Sequence, residues 1–338
     1  MRYTVVDVAR QAGVSVATVD RVLNQRGGVR ERTRRLVFET ARRLGYLDPA
    51  ADGGADVAPV RLDFVLPAGA DPFMQALSDE IERQAGARPG VAARVARIED
   101  ANPEQLAAAL LAYRGQTQGL GVVAPDHPAV REALRAVSLG GVKVATMVSD
   151  IPHAPRIGFV GVDNRAAGRL AGYLLRRFVG AERPAQVAMF AGSLSYRAHE
   201  ERETGFRNLL AEEAANLRIV ELREMRDNAA RAYGEACSLL DAYPGLAAIY
   251  NIGGGVAGVA RALKERGRER EIVFIAHEMS ADNRRLLIDA TLDAAIDQNP
   301  RVQAREALNV LESAARGVAY APPPIRLQAI FKENVPEG

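Results

Sequence analysis

From residue 61 to residue 317, short apolar runs alternate with amphipathic stretches, and this alternation narrows the possible folds more than any other feature of the chain. Short apolar runs bounded by turn residues read as buried strands. Stretches with apolar residues three and four apart read as helices. Strands are expected at 61–67, 91–98, 119–124, 142–147, 157–162, 186–191, 218–224, 247–251, 272–276 and 292–297. Helices are expected at 73–85, 103–113, 129–138, 166–179, 202–213, 229–243, 258–266, 283–289 and 301–317. Such repetition implies parallel sheets with right-handed crossovers. The strands are too many for one comfortable open sheet. The expected fold class is therefore α/β, with two doubly wound lobes and a ligand bound between them, outside the carboxyl ends of the strands.

A length of 338 residues fits two or three domains. Ahead of the α/β body, residues 1–46 hold ten arginines and four acids, a net of +6. Because the whole chain carries only +2, the remainder carries −4. A small basic head on an acidic body suggests a polyanion partner at one end. Residues 47–59, rich in Ala, Gly, Asp and Pro, read as a linker, leaving 60–338 as the body. Within the body, lobe 1 is expected at about 60–160 plus 298–320, and lobe 2 at about 161–297 plus 321–338.

The head reads as three short helices. Thr4 can cap the first, with Asp7 closing a box, and Val5, Val8, Ala9 and Ala12 fall on one face. Gly13 suits a left-handed helix end and Ser15 can cap the next helix, at 16–23. A third helix is expected at 31–44, with Leu36, Val37, Thr40, Ala41 and Leu44 inward. Helix, tight glycine turn and helix make a helix-turn-helix unit that reads double-stranded DNA. Val16 and Ala17 are small enough to let the second helix enter a major groove. Arg21 can reach a guanine edge, while Ser15, Thr18 and Arg30 can reach phosphates.

Several function classes lack a signature. One cysteine, Cys237, forbids an intrachain disulfide and points to a reducing cytosol. Beside Leu239 and Leu240 it reads as a buried, inert thiol. No apolar run approaches the ~20 residues of a membrane span, and Met1-Arg2-Tyr3-Thr4 opens no secretory signal. A cytoplasmic protein without membrane contact is expected. His199-Glu200-Glu201 is not a zinc motif, and four scattered histidines form no metal cluster. No enzymatic activity, metal or cofactor is expected. A rival remains in Gly253-Gly254-Gly255-Val256-Ala257-Gly258, which formally matches the dinucleotide-binding pattern G-x-G-x-x-G, with Glu278 about 20 residues on. A sugar-binding transport protein is a second rival.

The head closely resembles the LacI/GalR (Lac repressor-like) family of bacterial transcription regulators. The residues that carry the resemblance are Thr4-Val5-Val6-Asp7-Val8-Ala9-Arg10-Gln11-Ala12-Gly13-Val14-Ser15 and Ala17-Thr18-Val19-Asp20-Arg21-Val22-Leu23-Asn24, continued by Thr33-Arg34 and Leu44-Gly45-Tyr46. It adds Thr4, Asn24 and Thr33 to the DNA-contacting set. It also implies a periplasmic-binding-protein-like sugar-sensing body, a homodimer, an operator as partner, and repression controlled by a sugar, sugar acid or polyol. Two departures stand out. Asp20 replaces a usual Ser. The linker segment Ala50-Ala51-Asp52-Gly53-Gly54-Ala55-Asp56 has no leucine for the minor-groove wedge of the family's hinge helix. The C-terminal segment 331–338 has no leucine heptad, so a tetramerising tail is not expected.

Candidate effector contacts lie at strand ends. Phe73 either stacks on a ring or begins its helix's core face. Asp126 and His127 form a polar ligand pair or a plain turn. Ser149, Asn251, His277 and Glu278 each follow a strand. By the resemblance, Arg202 with Phe206 four residues on marks the sugar-contact loop, and Gln298 a ligand-contacting amide. An arginine at a helix start opposes the helix dipole, which favours a functional role for Arg202. Relatives often carry Asp near 277–278, so either Glu278 replaces it or His277 donates. Asp163 is expected to cap a helix.

Overall fold

The computed structural model describes residues 4–23, 28–44, 46, 58–69, 71–98, 102–180 and 183–336. It separates into two compact units, Met1–Ala58 and Pro59–Gly338. Asn24 and most of the expected linker, 47–57, lie outside the described residues.

The head comprises α1 (Val5–Ala12), α2 (Val16–Leu23) and α3 (Glu31–Arg43). Thr4 and Asp7 form a full capping box on α1. Gly13, at φ 65, ends that helix in the left-handed region that glycine tolerates, with its N–H bonded to the Ala9 and Arg10 carbonyls. The Ser15 hydroxyl accepts the Thr18 N–H at 3.2 Å and caps α2. Val8, Ala9, Ala12, Val19, Val22, Val37 and Ala41 form a small apolar core. Leu36 does not join it as expected: it is 45% exposed, while Phe38 packs there instead. The buried row of α3 runs through residues 37, 40, 41 and 44. Residues 36 and 38 flank that row on opposite sides, and Phe38 is the one packed against the head's core.

The body begins with a five-stranded parallel sheet in the order β2-β1-β3-β4-β5. Its strands are β1 (Val60–Pro67), β2 (Val91–Ile98), β3 (Gly119–Val122), β4 (Lys143–Met147) and β5 (Gly158–Val160). One face packs on α4 (Pro72–Gly86) and α12 (Pro300–Ala315), the other on α5 (Pro103–Leu111) and α6 (Pro128–Leu139). A second, six-stranded sheet runs β11-β10-β9-β8-β6-β7. It contains β6 (Ala185–Ala191), β7 (Leu217–Glu224), β8 (Leu246–Asn251), β9 (Val273–His277), β10 (Ala294–Asp297) and β11 (Gln328–Ile330). Helices α7 (Asn164–Val179) and α8 (Arg197–Glu213) cover one face. Helices α9 (Ala229–Ala242), α10 (Val256–Glu265) and α11 (Ala281–Ile288) cover the other. Strand order reverses at β1/β3 and at β6/β8, where open α/β sheets leave a crevice for ligands. The chain crosses from the second sheet back to the first through α12.

Three expectations need correction. Strand β11, antiparallel to β10, was not anticipated: three residues after a run of prolines are too short to show a period. Helix α8 starts at Arg197, so Arg202 sits in its second turn and the dipole argument for it does not apply. Cys237 is half-buried rather than sealed in the core, because it lies at the edge of α9's apolar face, where only Ala232, Ala236, Leu239 and Leu240 are fully covered.

Backbone irregularities gather at carboxyl ends of strands. Val148, Arg226, Asp227 and Glu278 all have φ between 51 and 72, as does Asn299, the cap of α12. Side chains other than Gly, Asn and Asp rarely adopt this region, and such strain tends to accumulate at functional sites.

Candidate functional site

A cavity of about 100 Å³ opens beyond the carboxyl ends of β1, β7, β8 and β9. That volume holds several water-sized groups. From the first sheet come Asp71, Pro72 and Phe73. The second sheet supplies Asp227, the glycine loop Gly253–Gly255, His277 and Glu278, with Ser280, Asp282 and Asn283 at the start of α11. Asp71 caps α4 by accepting the Phe73 N–H at 3.0 Å. Burial, helped by the nearby charge of Asp227, pushes the Asp71 carboxyl up to about 6.

Glu278 is the most perturbed of the carboxyls in the cavity. Burial pushes it up to about 8 against the pull of Arg202. Its Oε1 accepts the Gln298 amide at 2.6 Å and stands 3.8 Å from an Arg202 guanidinium nitrogen. Its Oε2 is shielded from solvent and has no partner. The Tyr250 hydroxyl lies 2.8 Å from His277 Nε2, while His277 Nδ1 is buried and unpartnered. Burial and the charges of Arg202 and His199 hold His277 well below its usual range, against a pull from the Ile296 carbonyl, so the ring is neutral.

The structure sorts the expected effector contacts into three groups. Phe73, His277 and Glu278 line the cavity. Phe73 is also 4% exposed and part of the core, so its ring lies on the core face of α4 as well as in the cavity wall. Arg202, Asn251 and Gln298 are buried behind the lining and brace it. Arg202 donates to Asn164 Oδ1 at 2.8 Å and to the Ile252 carbonyl at 2.9 Å. The Asn251 amide donates to the Gly253 and Gly254 carbonyls, holding the glycine loop. The Gln298 amide oxygen accepts from Gln303 at 2.9 Å. Phe206, the aromatic paired with Arg202 in the sequence, stacks on Tyr250 in the core at 4.8 Å between centroids.

Asp126, His127 and Ser149 do not line the cavity, and their polar atoms have local work. Asp126 pairs with Arg131 at 2.5 Å, and His127 caps α6 through Nδ1. Ser149 accepts the Ala198 N–H in the first turn of α8 at 3.1 Å. Asp163 caps α7, as expected. Sequence reasoning missed Asp227, whose Oδ1 accepts the Gly254 N–H at 2.6 Å. A signal was present in the Arg226-Asp227-Asn228 run that follows β7, since Asp and Asn are residues that tolerate left-handed backbone after a strand.

In the head, Val16, Ala17 and Arg21 are exposed on α2, with Thr18 half-buried and Arg30 exposed just ahead of α3. The Ser15 and Thr18 hydroxyls are 2.8 Å apart. Thr4 is exposed, with its hydroxyl bonded to Asp7, and Thr33 is half-buried on α3.

Residues 62–318 match the family model of the periplasmic binding protein domain, and residues 4–48 that of bacterial regulatory proteins, lacI family. Catabolite control protein A of Priestia megaterium is 41% identical over 83 residues, 24% of this chain and 25% of that protein. The HTH-type transcriptional regulator DegA of Bacillus subtilis is 35% identical over 88 residues, 25% of this chain and 26% of that protein. These similarities thus span about a quarter of each relative's length. Among solved structures, GanP, a glucose-galactose binding protein from Geobacillus stearothermophilus, has a TM-score of 0.75 at 21% identity, covering 82% of this chain and 99% of its own. A solute binding protein from Burkholderia graminis in complex with D-arabinose has the same TM-score and identity, covering 82% and 97%. At such identity the likeness concerns the fold. Among the described residues, no helix is long and apolar enough to cross a membrane. The chain belongs to the periplasmic binding protein domain family, and its residues 4–48 match the lacI family of bacterial regulatory proteins.

Proposed function

We propose that this chain is a transcriptional repressor whose affinity for operator DNA is set by a sugar-like small molecule in the body's cleft. The head, residues 1–46, reads the duplex through α2, with Arg21 on base edges and Ser15, Thr18 and Arg30 on phosphates. Residues 47–59 link it to the body. The protein acts in the cytoplasm as a homodimer, one head per half of a pseudo-palindromic site. The observation that carries this proposal is the pairing, on one chain, of an exposed basic helix-turn-helix with a strand-end cavity braced by buried Arg202, Asn251 and Gln298. Ligand acts by binding one body conformer more tightly than the other.

The dinucleotide reading is disfavoured by a specific contact. The Gly254 N–H that would cradle a pyrophosphate already donates to the Asp227 carboxylate. A phosphate there would meet a negative charge instead of a free N–H. The transport reading leaves the DNA-binding segment without a task.

Selection of duplexes from a random pool by the full chain tests the proposal, with Arg21→Ala as control. Enrichment of a two-fold symmetric sequence that Arg21→Ala no longer holds is expected. Equal binding by the variant would place DNA recognition elsewhere.

A further inference from the structure

The cavity is charged on one side only. Asp71, Asp227, Glu278 and Asp282 line it, and among the described residues no lysine or arginine does. The inner carboxylates are close enough to feel one another: Asp227 acts on Asp71, and Asp71 on Glu278. Neighbouring cations are already engaged. Arg202, 3.8 Å from Glu278, donates its hydrogen bonds to Asn164 and the Ile252 carbonyl, and Arg97, which like Arg202 acts on Asp71, donates to Gln75 and the Gly69 carbonyl.

Two solvent-shielded atoms on lining residues have no hydrogen-bond partner, Glu278 Oε2 and His277 Nδ1. His277 is 2% exposed, so water does not reach its ring freely. A buried polar atom left unpaired is costly, and a ligand that pairs it recovers that cost on binding. Glu278 holds its proton in the empty cleft and becomes an acceptor by releasing it when a positive group enters, and acids crowded out of water favour such a group. An anionic ligand would add like charge to the same enclosed space. Phe73 is the one phenyl ring in the lining among the described residues, beside the small apolar surfaces of Pro72, Ala229, Val256 and Ala257, and the chain has no tryptophan to sandwich a neutral ring.

We propose that the cleft takes a positively charged, hydroxyl-bearing ligand, an amino sugar or amino polyol whose ammonium sits among Asp71, Asp227 and Glu278. This rests on the assignment of the cleft as the effector site and narrows the ligand class, setting sugar acids aside.

Probes matched in shape test the charge alone. Tris and pentaerythritol differ by an ammonium in place of a hydroxymethyl group. Glucosamine, glucose and glucuronate share one ring. The full chain is titrated calorimetrically with each at up to tens of millimolar. The aminated member of each set is expected to bind at least about tenfold more tightly than its neutral partner, about 1.4 kcal/mol. Asp71→Asn with Asp227→Asn is expected to erase that preference, with far-UV circular dichroism confirming the fold. A neutral or anionic member that binds as tightly as its aminated partner, or no binding of either aminated probe, overturns the proposal. If neutral probes bind and lose affinity in Asp227→Asn, only the charge class falls. If no cleft substitution changes the binding of any probe that binds, the assignment of the cleft falls with it.

Discussion

Gly168→Ala probes how α7 and α8 hold Arg202 beneath the cleft. A Cβ at residue 168 would lie 1.9 Å from the Arg202 carbonyl oxygen, 2.7 Å from its carbonyl carbon and 2.9 Å from its Cα. Comfortable contact begins near ~3.5 Å, so the helices would have to part by roughly 1.5 Å. The obstacle is backbone, and no rotamer change relieves it. Gly205 closes the crossing from the other side, where a Cβ would meet the Arg165 carbonyl at 2.1 Å. Overpacking of this kind costs about 1–3 kcal/mol or more. The helix propensity gained over glycine offsets up to ~1 kcal/mol of that. Parting the helices also pulls Arg202 from Asn164 and Ile252, two further hydrogen bonds of about 1 kcal/mol each. A net destabilisation of about 2 kcal/mol or more is expected. Gly234→Ala is the counterpart: it sits inside α9 with nothing within 4 Å of the new Cβ, and should stabilise by about 0.5–1 kcal/mol. Urea midpoints followed by far-UV circular dichroism separate the two. A Gly168→Ala chain as stable as its parent, or the same sign for both substitutions, refutes the close-packing argument.

Other outcomes follow from the buried polar groups and the head. Arg202→Met leaves the Asn164 oxygen and the Ile252 carbonyl without their donor; a loss of about 1–3 kcal/mol in urea unfolding is expected, and an unchanged midpoint contradicts the bracing role. Glu278 holds its proton to about 8 in the folded chain, while an unfolded glutamate releases it near ~4.3. Between those values the unfolded chain binds fewer protons, so this group's contribution to stability falls as pH rises through that window and is flat above it. Glu278→Gln should remove that slope in urea midpoints taken across the window, and an unaltered slope assigns it to other groups. Arg21→Ala should weaken binding to the selected duplex by about 1–3 kcal/mol in fluorescence anisotropy, and unchanged affinity means that α2 is not the reading helix.

Much of the architecture was legible because it rests on local pattern. The apolar runs at 91–98 and 186–191 and the capping signals at Thr4, Ser15 and Asp163 depend on neighbours a few residues away, and the structure has strands and caps there. Strand β11 escaped because only its pairing to β10 defines it. Cavity lining was harder to read. Strand-end position brought out Phe73, His277 and Glu278, but it does not separate a residue that lines from one that braces. Arg202 and Gln298 differ from Glu278 only in depth, which three-dimensional packing sets. Asp126 and His127 sit at a strand end as promising as any, yet an arginine five residues on and a free helix N–H claim them first. Asp227 was missed because its role comes from a glycine loop 27 residues away.

Ligand control of DNA binding is the central claim, and one titration tests it most directly. The full chain is bound to its selected duplex, and a ligand that binds the cleft is added while anisotropy is followed, in parallel with Arg202→Met. The ligand is expected to shift the duplex affinity of the parent chain, while Arg202→Met keeps its duplex affinity and loses most of the shift. A parent chain whose duplex affinity is the same with the cleft filled or empty would contradict the account.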